Sequence, residues 1–253
     1  MPAARSADSR LAPVLDLAAR RLKGAAAEEA RDFIALYYDQ VDPEDLGRRT
    51  PDDLFGAALA HLAFARQFVP GTPKLRVSNP RAEEHGWASP HTVIEIVNDD
   101  MPFLVDSVTM ELARQGCGVH LLVHPLARTR RDAEGRLEAF APAGASGAGE
   151  SWIHVEIDRE ADPARLRAIA EGLQAVLGDV RAAVEDWPAM RERMQDAAKD
   201  LARVPKGVDK AEAAEVREFL AWVLDNHFTF LGYRDYQLSS VGGEDLLRIV
   251  AGT

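Results

Sequence analysis

Residues 91–118, HTVIEIVNDDMPFLVDSVTMELARQGCG, change their hydrophobic period halfway along, and that change decides the fold. In HTVIEIV the neighbours Val93 and Ile94, then Ile96 and Val97, send apolar side chains to both faces of an extended segment, as in a largely buried strand. The polar run Asn98-Asp99-Asp100 ends it. Pro102 suits a helix start, and Leu104, Val105, Val108, Leu112 and Ala113 recur at spacings of three and four until Gly116 and Gly118. A strand feeding an amphipathic helix opens an α/β unit.

Working outward, GVHLLVHPLARTR (118–130) reads as a second strand, with a turn at 132–135 and a short return strand through Leu137 and Phe140. APAGASGAGE (141–150) reads as a loop, too small and flexible to pack. SWIHVEID (151–158) alternates like a half-buried strand. Asp162 and Pro163 then start a helix with the stripe Leu166, Ile169, Ala170, Leu173, Val176 and Leu177. DVRAAVEDW (179–187), with Val180, Ala182 and Val184 on one side, is expected as a short edge strand. The fold class is therefore α+β, a ferredoxin-like βαββαβ module over 76–187 with helices on one face of its sheet.

Residues 1–75 are expected to be a separate helical region: a frayed start, an apolar helical cluster at Leu11, Val14, Leu15 and Ala18, and a later helix capped by Thr50 with Pro51 in its first turn. Residues 188–253 read as helices through Met190–Leu201 and 211–226, broken at Pro205-Lys206-Gly207. An aromatic strand FTFLGYRDYQL (228–238), a Gly242-Gly243 turn and LLRIV (246–250) follow, the beginning of a second α/β module cut from a longer chain.

The 253 residues carry 30 Lys+Arg against 41 Asp+Glu, a formal charge of −11, which disfavours phosphate backbones and anionic lipid; no nucleic acid and no membrane partner is expected. One cysteine, Cys117, makes neither an internal disulfide nor a cysteine-only zinc site, so a cytoplasmic location is expected.

The stretch Asp100-Met101-Pro102-Phe103-Leu104-Val105-Asp106-Ser107, with Glu185-Asp186-Trp187-Pro188-Ala189-Met190 and Asn226-His227-Phe228-Thr229-Phe230-Leu231-Gly232-Tyr233, resembles the amino-terminal region of the large NAD-specific glutamate dehydrogenases of bacteria. The resemblance covers most of the chain after about residue 30. It implies a non-catalytic region containing ACT-like modules, with NAD used by the parent enzyme and the dehydrogenase domain far downstream. The residues agree: the glycine-dense places, Gly116-Cys117-Gly118 and 144–149, fail the spacing of a pyrophosphate cradle, so no cofactor is expected in this segment.

The ACT comparison singles out the turn Asn98, Asp99, Asp100, Met101, Pro102, Phe103, Asp106 and Ser107 as a candidate amino-acid effector site. Backbone N–H groups opening the helix would meet a carboxylate, and Asp99, Asp100 or Asp106 an ammonium group. Amino-acid-binding members of that group tend to carry glycine where Phe103 stands, which favours a bland alternative: Asp99 and Asp100 cap the helix while Phe103 packs into the core or an interface. Three functions are carried forward: a regulatory and assembly segment of a homo-oligomeric parent dehydrogenase, a scaffold without ligand, and a free-standing amino-acid sensor. His120, His124 and His154 read as strand histidines, solvent-facing or hydrogen-bonded, rather than metal ligands, Cys117 as a packed thiol, Met190 and Met194 as core, and Phe228, Phe230, Tyr233 and Tyr236 as core or interface.

Overall fold

Six strands, β1 (Lys74–Ser78), β2 (Thr92–Asp99), β3 (Val119–Val123), β4 (Leu126–Arg131), β5 (Leu137–Phe140) and β6 (Ala148–Ile157), form one antiparallel sheet. The computed structural model describes residues 11–140, 148–201, 203, 207–241 and 244–251. The strand order is β1-β2-β6-β4-β5, with β3 also paired to β6. At the centre β2 and β6 run in register from Thr92↔Ile157 to Asp99↔Glu150. Strand alternation therefore places Ile94, Ile96, Ile153 and Val155 on one face, and Val93, Val97 and Trp152 with Glu95, His154 and Glu156 on the other; all of these are buried.

Both faces are covered, which corrects the expectation of helices on one face only. Helices α1 (Ala12–Arg21), α2 (Ala25–Tyr37), α3 (Pro43–Gly47) and α4 (Pro51–Ala65) share a core with the Trp152 face. Phe33 of α2 stands 5.2 Å from the Trp152 ring and 5.5 Å from Phe140. Thr50 caps α4 as expected, its hydroxyl accepting from the Asp53 N–H at 3.2 Å. After the short α5 (Ala82–His85), α6 (Leu104–Arg114) and α7 (Pro163–Asp200) bury the expected Leu104, Val108, Leu112, Ile169 and Leu173, while Leu166 is half-buried. The two helices meet where Gly172 lacks a side chain: a Cβ there would lie 2.1 Å from the Glu111 carboxylate.

The strand expected over 179–187 is helix. Leu173, Leu177 and Val180 continue the buried stripe at spacings of four and three, and Arg181 pairs with Glu185 one turn on at 3.1 Å. Of the apparent period-two set, Val180 and Val184 share the inner side of the helix one turn apart, while Ala182 lies on the opposite side and is exposed. Nor does Pro188 restart a helix, since it lies inside α7. In a βαββαβ module the last strand would lie beside the first. Here β1, an unexpected strand straddling the start of the expected module, takes that edge, with Lys74↔Val97 through Ser78↔Val93. The expected second strand is split at His124-Pro125, where proline offers no N–H to the ladder. Residues 148–150, expected as loop, belong to β6, and 141–147 lie outside the described residues.

The chain divides into two compact units, Met1–Gly178 and Asp179–Thr253. In the second, α8 (Lys210–Trp222) is capped by Asp209, leads through a π-helical turn at Val223–His227, and packs with Met190 and Phe230 in a small core of Met190, Val223 and Phe230. Arg191 ties two of the motifs noted above together, donating to Asn226 Oδ1 at 2.9 Å and to the Leu224 carbonyl at 2.8 Å. The expected strand from Phe228 begins only at Tyr236: β7 (Tyr236–Val241) pairs with β8 (Glu244–Ile249) in a two-stranded sheet. Residues 228–235 lack the extended ladder because Phe230 turns into the helical core while Phe228 stays exposed. The expected breaks at Pro205-Lys206 and Gly242-Gly243 lie outside the described residues. Among the described residues no helix is long and apolar enough to cross a membrane.

Gly56 of α4 faces Trp87, whose Cβ would lie 2.2 Å from an added methyl. Gly56→Ala is therefore expected to destabilise the first unit by about 1–3 kcal/mol, read as a lower urea midpoint, despite alanine's better helix propensity.

Candidate functional site

The turn after β2 is built by the sheet. Asn98 is fully buried opposite Ser151, and Asp100 donates its N–H to the Gly149 carbonyl at 2.9 Å, so the backbone leaves the sheet at a defined point. Asp99 does not cap α6: its Oδ2 accepts from the Gly71 N–H at 2.7 Å, and no side chain caps that helix. The capping alternative for Asp99 and Asp100 is thereby corrected: the Asp99 carboxylate holds the loop after α4. Met101 is half-buried and Pro102 exposed. Phe103 occupies the cap position with φ 71°, a left-handed conformation, and is 43% exposed rather than packed in the core. Ser107 donates the first helical bond to the Phe103 carbonyl at 2.9 Å, and Asp106 is exposed in the first turn. Of these residues Asp100 lines a cleft of about 350 Å³, completed by Leu126, Ala127, Arg128 and Gly149. An acidic and a basic side chain on one cleft match the two charges of an amino acid.

The sequence reading missed a layer of charge under the N-terminal helices. Glu95, Glu150 and Glu156 are each at most 4% exposed. Arg76 of β1 donates to Glu95 at 2.6 Å, Arg131 of β4 to both oxygens of Glu150 at 2.6 and 2.8 Å, and Arg49, just after α3, to Glu156 at 2.6 Å. Trp152 Nε1 adds a bond to Glu150 at 2.9 Å. Burial alone would raise the Glu156 carboxyl, but His154 and Arg49 outweigh it and hold it at about 2. Burial, reinforced by His154, pushes His61 well below the ordinary imidazole range, so a neutral ring meets the Tyr37 hydroxyl at 2.9 Å and the Ile96 carbonyl at 3.3 Å. The signal available in sequence was charge inside an apolar strand: Glu95 within TVIEIV, and Glu150 and Glu156 around SWIHV.

The three histidines are dispersed. His120 meets Asp158 at 2.7 Å and His124 meets Ser151 Oγ at 2.5 Å. His154 is 1% exposed, which corrects its reading as solvent-facing or hydrogen-bonded, since neither ring nitrogen has a hydrogen-bond partner among the described residues. Burial raises the Cys117 thiol above its ordinary range. Gly116-Cys117-Gly118 leads from the end of α6 into β3, the reverse of the strand-to-helix order that cradles a pyrophosphate.

An antiparallel sheet buried on both faces, with a strand-to-helix turn at the end of a central strand, defines an α+β module compatible with the ACT-like class. The family profile described as glutamate dehydrogenase, ACT1 domain, matches residues 33–173, more than half of the chain, and the chain belongs to that family. It is 44% identical to the NAD-specific glutamate dehydrogenase of Halomonas elongata over 231 residues, which is 90% of this chain and 14% of that protein. Against the NAD-specific glutamate dehydrogenase of Pseudomonas aeruginosa it is 37% identical over 224 residues, 87% of this chain and 14% of the relative. The protein of the same name from Mycobacterium tuberculosis is 27% identical over 179 residues, 69% of this chain and 11% of the relative.

Two outcomes follow from this geometry. Because the Glu156 carboxyl is held near 2 against an ordinary 4.5, the fold favours its ionised form: that stabilisation is complete above about pH 4.5 and is lost as the pH falls toward 2. Glu156→Gln should remove on the order of 3 kcal/mol of acid-dependent stability over that window, visible in urea unfolding at stepped pH. At Phe103, glycine tolerates the left-handed backbone and alanine does not, so Phe103→Gly should be more stable than Phe103→Ala by about 1 kcal/mol in the same assay.

Proposed function

We propose that this chain is a non-catalytic regulatory and assembly segment of a large NAD-dependent glutamate dehydrogenase, whose complete enzyme converts L-glutamate to 2-oxoglutarate and ammonium. One observation carries the reading: the match is to a domain named ACT1, and the chain spans about 14% of the length of the Halomonas and Pseudomonas relatives. The dehydrogenase chemistry and the NAD site then belong to the remainder of the parent, since the glycine-dense turn described here runs from helix to strand.

In this proposal the effector is an amino acid at the turn Asn98–Ser107. Its ammonium group goes to Asp100 or Asp106 and its carboxylate to the opening of α6 or to Arg128 across the cleft. The surrounding ACT-like part is taken as 76–187, with 1–75 as its helical cover and 188–253 as connecting helices and the start of a second ACT-like module. The β7–β8 hairpin supports that last point: Tyr236, Leu238, Leu247 and Ile249 are each more than half exposed, and a two-stranded sheet of this kind needs further strands or a helix to bury its face. The partners are the rest of the parent chain and further copies of it in a cytoplasmic homo-oligomer.

A scaffold without ligand is the second reading, favoured by the partly exposed Phe103 ring at the point where a ligand would approach the backbone. Calorimetric titration with the common amino acids separates the two. Saturable heat from one amino acid, abolished by Asp106→Ala with unchanged folding, is the expected result; heat from none supports the scaffold. The purified chain should also reduce no NAD with glutamate, and turnover that persisted through repurification would reject the non-catalytic assignment.

A further inference from the structure

A second cleft, of about 300 Å³, lies in the first unit away from the turn. Its charged floor is the pair Arg49–Glu156, with side chains only 15% and 6% exposed. Arg48 lines it as well, 72% exposed, and its nearest carboxylate, Asp45, stands 3.6 Å away, too long for a hydrogen bond. The walls are Trp87, which is nearly buried, and the His91 ring, stacked on His120 at 4.1 Å between centroids.

Arg49 is held in place, donating to Glu156 at 2.6 Å and to the Asp45 carbonyl at 2.9 Å, whereas Arg48 makes no hydrogen bond to a carboxylate among the described residues. Glu156 has a second partner within reach: the buried His154 ring stands 3.6 Å from Glu156 Oε1, and its nitrogens have no hydrogen-bond partner among the described residues. Glu156 thus stands beside Arg49 and His154, while Arg48, next in sequence, lines the same cleft without sharing that carboxylate. Asp53, the other acid in the lining, already accepts the Thr50 hydroxyl at 2.6 Å. The remaining wall mixes apolar Leu54, Ala57, Pro90 and Leu121 with the hydroxyls of Thr50 and Ser89, and the volume is that of a small-metabolite site.

We propose that this cleft binds a small organic acid, its carboxylate bridging Arg48 and Arg49 and its short carbon chain lying against Trp87. The site is separate from the effector turn and does not rest on the regulatory reading.

The test is a titration of the 253-residue chain with propionate, glutarate, L-glutamate and inorganic phosphate, followed by amide and indole N–H shifts in NMR spectra. The expected result is a saturable shift at Trp87 and His91 with at least one carboxylate in the millimolar range. Arg48→Gln, at an exposed position where the fold loses nothing buried, should weaken it about tenfold or more. Asp106→Ala, at the turn, should leave it unchanged. The proposal is overturned by the absence of a saturable shift, by binding indifferent to Arg48→Gln, or by phosphate matching the carboxylates, which would mean no organic body is recognised. A shift lost in Asp106→Ala would place the ligand at the turn and reject this cleft, while leaving the regulatory reading standing.

Discussion

Glu95, Glu150 and Glu156 lie on one buried face of β2 and β6, and each requires a cation at that spot. The cations come from three different elements: β1 through Arg76, β4 through Arg131, and the segment after α3 through Arg49. Losing one partner of such a pair leaves a buried charge uncompensated, at a cost of about 3–5 kcal/mol. The layer therefore specifies which neighbours the central strands accept, a task hydrophobic contact alone performs less selectively. Phe33, Tyr37 and Trp152 pack their rings together within the apolar core around it.

The same layer explains why the N-terminal helices are integral to the sheet. Arg49 reaches down to Glu156, and Arg131 reaches up to the Ala65 carbonyl at 3.0 Å, at the end of α4. Leu137 donates to the Arg66 carbonyl at 2.8 Å. These bonds satisfy backbone groups at a helix end with groups from the sheet, so neither side is complete without the other.

Elements with a strong period were legible: β2, α6, β6, the start of α7 and the Thr50 cap all follow from spacing and capping chemistry. The edges were not. Five residues of β1 carry too short a pattern to separate from a loop, and 179–187 satisfied both periods until the burial of Leu177 and Val180 decided for helix. The candidate turn could be located because a strand end beside a helix start is a local event. Its finer state could not, since the Asp99 contact with Gly71 joins positions 28 residues apart. The buried carboxylates escaped for a related reason: alternation assigns a residue to a face, and only the helices packed above reveal that this face is dry.

With β1 before β2 in the chain, the large sheet uses no strand later than Ile157 among the described residues. A nascent chain emerging from the ribosome thus brings out its N-terminal cover first and then the edge strand. The two central strands come next, the second of them last, and the rest of α7 follows a finished sheet. A βαββαβ order would instead leave the first strand with an open edge until its final segment was made, exposing backbone donors and acceptors in a chain still being extended. Placing the closing strand upstream shortens that interval, which matters most when a long polypeptide has yet to follow.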